Sequence, residues 1–105
     1  MTPVVWTRAA LVDLNAILDQ AALKNIKGAA KIAKRVEDAE KALAVFPRSS
    51  RYNAETGTYE AIVRGVPLLL IYELKSTSEE SERVEIIAVF YTARHPNSKP
   101  GRRSA

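Results

Sequence analysis

Few side chains in this sequence are suited to covalent chemistry. His95 is the only histidine and cysteine is absent, so His95 alone has an ordinary titration near neutrality and no thiol nucleophile is available. Metal-free cleavage of a phosphodiester needs a base, an acid for the leaving oxygen and cations around the charged phosphorane. The candidates are Arg64 at the end of one apolar run, and Tyr91, Arg94 and His95 at the end of another. Neighbouring ends would make these four a nuclease constellation; separate ends would leave Arg64 a solvated turn cation and Tyr91 an interface aromatic. No Asp/Glu cluster joins the lone histidine at metal-ligand spacing. The glycines at 28, 57, 65 and 101 stand isolated, so no phosphate-cradling loop exists. Neither a metal nor a cofactor is expected.

Composition sets the scale of what must position these groups. A chain of 105 residues with 47% hydrophobic residues is expected to form one domain, residues 1–105, around one core. The start MTPVVWTRAALVDL lacks a charged n-region and a continuous apolar core, and no apolar run approaches the ~20 residues of a membrane span. A cytoplasmic protein without membrane contact is the expectation. The net charge of +4 favours acidic partners, according to where the cations lie.

PVVW (residues 3–6) reads as a short strand with Pro3 at its start. Thr7 is placed to cap a helix in which Ala10, Leu11, Leu14, Ile17, Leu18 and Ala21 form an apolar stripe, with Asp13, Asn15 and Asp19 opposite. Asn25 is placed to cap a second helix, with Ile32, Val36, Ala39, Leu43 and Phe46 on one face, and Pro47 ends it. Lys27, Lys31, Lys34, Arg35 and Lys41 on its outer side interleave with Glu37, Asp38 and Glu40 at pairing distance, the pattern of a solvated face. Residues 48–57 read as a loop. TYEAIVR (58–64), LLLIYEL (68–74) and VEIIAVFY (84–91) then read as strands of an antiparallel meander, with the acidic stretch KSTSEESER as a long mobile connection. The fold class is α+β: an N-terminal strand, an antiparallel two-helix hairpin, a sheet completed by the meander, and a basic tail.

Strict alternation puts Leu69 and Ile71 of the middle strand, with Ile87 and Val89 of the last, on one apolar face. Two helices shield only one side of a sheet, so this second face calls for a partner, a second copy or the folded-back C-terminus. The tail ARHPNSKPGRRSA carries Arg94, Lys99, Arg102 and Arg103 and no acid; residues 94–105 are expected to be flexible or ordered by a partner.

The order of elements, with WTRAALVDLNAI (Trp6 to Ile17), Ala29 and Ala30 opening the second helix, LAVFPRSSR (Leu43 to Arg51), VPLLLIYEL and VEIIAVFYTARHP, resembles the RelE/ParE superfamily of type II toxin–antitoxin toxins. Messenger-cutting RelE-like members carry an arginine in the middle strand, whereas PLLLIY here is closer to the ParE-like branch. One position departs from that branch, because no histidine precedes Ala93 and Arg94. The resemblance implies a toxin that inhibits DNA gyrase by binding and forms a hetero-oligomer with a cognate antitoxin bearing an acidic segment. On this reading Leu69, Ile71, Ile87 and Val89 meet the antitoxin, and Tyr91, Arg94, His95, Lys99, Arg102 and Arg103 meet the target. The alternatives are a ribosome-dependent mRNA endonuclease using Arg64, Tyr91, Arg94 and His95, or a non-toxic partner-binding member.

Overall fold

A computed structural model describes residues 1–78 and 81–92. The chain runs β1 (Val4–Trp6), α1 (Arg8–Lys24), α2 (Ile26–Val45), β2 (Arg51–Asn53), β3 (Thr58–Val63), β4 (Leu68–Ser78) and β5 (Ser81–Tyr91). The strands form one mixed sheet in the order β1-β5-β4-β3-β2. β1 lies parallel to β5, with Val4 opposite Val84 and Trp6 opposite Ile86. All other pairings are antiparallel.

Side-chain capping sets the helix starts. Thr7 Oγ1 accepts from the Ala10 N–H at 3.2 Å while donating to the Ile86 carbonyl at 3.1 Å. One threonine therefore both opens α1 and pins its start to β5. Asn25 Oδ1 accepts from the N–H groups of Lys27 and Gly28, satisfying two donors that the first turn of α2 leaves free. Ala10 of α1 and Ile32, Val36 and Leu43 of α2 are buried with Ala61, Val63, Leu68, Leu70, Tyr72, Val84, Ile86 and Val89 of the sheet. This is the core, and it lies between the helical hairpin and one face of the sheet.

Four features depart from the sequence expectations. The segment read as a loop contains the edge strand β2, with Tyr52 opposite Tyr59. The stretch read as a mobile connection is largely strand, since β4 and β5 stay paired out to Ser78 and Ser81. Phe46, assigned to the buried stripe of α2, is 64% exposed; it is the C-cap residue, and helical geometry no longer directs its side chain. The register also slips, because Ile71 faces Ala88 while Tyr72 faces Ile86. Ile87 is thus the extra residue of a β-bulge, and the alternation of β5 reverses beyond it.

Candidate partner-binding surfaces

The bulge decides which residues share a face. Before it, Val84 and Ile86 point to the helices; after it, Val89 does so, opposite Leu70. Val89 therefore leaves the group in which alternation placed it and joins the core. The second face is built instead from Leu69 opposite Ile62 and Phe90, and from Ile71 opposite Glu60 and Ala88. Leu69 and Ile71 are 6% and 5% exposed. Ile87 is half-buried at the bulge.

Farther along that face Glu73 stands opposite Glu85, and Lys75 opposite Arg83. Like charges across strands repel. Each strand compensates along its own length, with Lys75 to Glu73 and Arg83 to Glu85 both at 3.1 Å.

The N-terminal elements are tied to the sheet by polar contacts. Beyond Ile86, β1 no longer covers the outer edge of β5, and there Asp13 Oδ2 accepts the Val89 N–H at 3.0 Å. Asp13 thus faces the sheet rather than solvent, the reverse of its placement by helical periodicity alone. Trp6 Nε1 donates to Glu40 Oε1 at 3.0 Å, joining β1 to α2. At the opposite edge, Tyr72, Tyr59 and Tyr52 form an aromatic row. Tyr59 and Tyr72 stack with centroids 5.1 Å apart, and Tyr52 tilts against Tyr59 at 4.8 Å. Burial pushes the Tyr72 phenol above its ordinary value. It remains a donor, and its O–H meets the Pro47 carbonyl at 2.7 Å.

The strand ends carrying Arg64 and Tyr91 are neighbours: Val63 faces Leu68, Leu68 faces Tyr91, and the Thr92 N–H donates to the Pro67 carbonyl at 2.8 Å. The two side chains nevertheless line different grooves. Tyr91, 38% exposed, borders an apolar slot of about 300 Å³ with Ile17, Ala21 and Lys24 of α1 and Ile32 of α2. Arg64 borders a groove between α2 and β3. Arg94, His95, Lys99, Arg102 and Arg103 lie outside the described residues. Among the described residues no group of three or more His, Cys, Asp or Glu is placed to hold a metal.

The cations of α2 divide into two sets. Lys34 pairs with Asp38 at 3.1 Å and with Glu37 at 3.6 Å, and Lys41 reaches Glu37 at 3.8 Å. The hydrogen bond to Asp38 raises the Lys34 pKa. Lys27, Lys31 and Arg35 form no ion pair among the described residues. Arg48 forks onto Glu82 at 2.6 and 3.0 Å, joining the α2–β2 connection to the start of β5.

A helical hairpin on a mixed sheet whose first strand lies parallel to its last is the architecture of a small α+β toxin. Residues 4–96 match the family model described as ParE toxin of type II toxin-antitoxin system, parDE. The chain belongs to that family, and with it to the toxins of type II toxin–antitoxin systems. A solved structure titled "Chromosomal ParDE TA system from P. aeruginosa" contains a chain of the same fold. It has a TM-score of 0.70 and 21% identity, and the match covers 87% of this chain and 96% of that one. No curated protein matches in sequence.

Proposed function

We propose that this toxin acts in the cytoplasm by holding DNA gyrase in an unproductive state, and that an acidic segment of a cognate antitoxin neutralises it. The observation that carries the reading is the middle of the sheet. β4 presents Leu68, Leu69, Leu70, Ile71 and Tyr72 in sequence, all buried, so no cation rises from that strand to stabilise a phosphorane. Tyr91 and Arg64, the described members of the nuclease constellation, border separate grooves. The ParDE title of the solved relative supports an antitoxin partner. Leu69 and Ile71, with Ile87 at the bulge, are the apolar contacts proposed for that partner. Tyr91 with Arg94, His95, Lys99, Arg102 and Arg103 is proposed for the target.

The test offers purified protein to supercoiling gyrase in one reaction and to translating ribosomes with message in another. Loss of supercoiling with intact message is expected; message cut only on ribosomes would replace this reading with the endonuclease. Deleting residues 99–105 is expected to abolish growth arrest while leaving antitoxin binding intact.

A further inference from the structure

The two outer strands cover their neighbours incompletely, and only one of the open stretches is capped. On β5 the stretch beyond β1 has its Val89 N–H taken by Asp13. On β3 the pairing with β2 ends at Arg51 opposite Glu60, yet the strand continues through Ala61, Ile62 and Val63. Among the described residues no backbone hydrogen bond from outside the sheet reaches those three. An uncovered strand edge is a template for a further strand.

Charge and shape specify what fits. The edge forms the floor of a groove whose other wall is α2, where Ala39 and Ala42 are small enough to leave room above Leu43. Arg35 and Arg64 stand at the end of the groove near the β3–β4 turn, with the Arg35 side chain against Gly65; Arg51 stands at the other end, opposite Glu60. None of the three arginines forms an ion pair among the described residues. Ile62 is 76% exposed at the centre.

We propose that the open edge of β3 receives an extended peptide as an added strand, with apolar side chains over Ile62 and against α2, and carboxylates held by Arg35, Arg51 and Arg64. Nucleic acid fits less well, because Asp38 and Glu60 line the same groove and an exposed isoleucine occupies its centre. Resting on the toxin reading, the proposal assigns this groove to an acidic extended segment of the antitoxin, separate from the buried Leu69 and Ile71.

The test uses the full chain and a labelled short peptide of alternating valine and glutamate, followed by fluorescence anisotropy. Saturable binding is expected, weakened about tenfold or more by Arg51→Glu with Arg64→Glu, since charge-assisted contacts are lost. The same peptide N-methylated at alternate amides, in both phases, is expected not to bind, because strand addition needs the backbone donors. Equal binding of the N-methylated peptides, no binding of the parent peptide, or an oligonucleotide that displaces it through the same arginines would each overturn the proposal. Growth arrest on expression tests the toxin reading, whereas peptide capture by purified protein tests the groove, so either can fail alone.

Discussion

The carboxylate of Asp13 in α1 accepts the backbone N–H of Val89 in β5 at 3.0 Å, and this contact closes the edge of β5 where β1 stops. Removing one partner of a part-buried pair leaves the other unsatisfied, which costs about 1–3 kcal/mol. Asp13→Ala is expected to lower unfolding stability by that amount in urea titration. Asp13→Asn, which keeps an acceptor oxygen, is expected to lose less than half as much.

Tyr72 is expected to make stability fall at alkaline pH. Its folded pKa lies above the ordinary 10.0 because burial disfavours the phenolate. The folded state thus holds the proton more tightly than the unfolded chain. The contribution is complete below pH 10 and is lost as pH rises through the folded value. Urea midpoints between pH 8 and pH 11 check this. Tyr72→Phe is expected to flatten the alkaline limb while costing about 1 kcal/mol at neutrality, through the lost bond to Pro47.

Trp6 is the only tryptophan, so the joint between β1 and α2 has its own optical signal. Glu40→Ala removes the acceptor of the indole N–H. A shift in Trp6 emission and a loss of about 1 kcal/mol are expected, with Glu40→Gln closer to the parent protein.

Gly65 adopts φ +83°, and a Cβ there would lie 3.1 Å from Arg35 Nε. Gly65→Ala is expected to cost about 1 kcal/mol or more in denaturant titration, because an L side chain is strained at that φ. Arg35→Ala removes the crowding but not the strain, so the double variant should recover only part of the loss.

The fold was legible wherever one local signal sufficed. Thr7 and Asn25 announce their helices because a side-chain oxygen beside an apolar period has few other uses, and Pro47 ends α2 for an equally local reason. The apolar runs of β3, β4 and β5 declare strands. β2 was not legible, since RYN is short and its order comes from Tyr52 meeting Tyr59 across the sheet. The polar ends of β4 and β5 were hidden too, because like charges in KSTSEESER suggest repulsion until Lys75 and Arg83 are seen to neutralise glutamates on their own strands.

For the candidate surfaces, alternation found Leu69 and Ile71 but misplaced Val89. A bulge shifts the phase by one residue, and nothing in VEIIAVFY marks where. The groove at β3 required knowing where β2 stops, which depends on pairing and not on composition. Arg35 looked like one more solvated cation of α2; only the positions of Asp38 and Lys34 reveal that its nearest acid is already engaged.

The pairing of Val4 with Val84 makes the first strand wait for the last. While the ribosome is still delivering the chain, the helical hairpin can form early, yet Thr7 has no Ile86 carbonyl to grip and Asp13 no amide to hold. Such long-range closure slows folding. A nascent chain halted before β5 therefore lacks the clamp that fixes the hairpin to the sheet, and assembly of this toxin is timed by the end of its own synthesis.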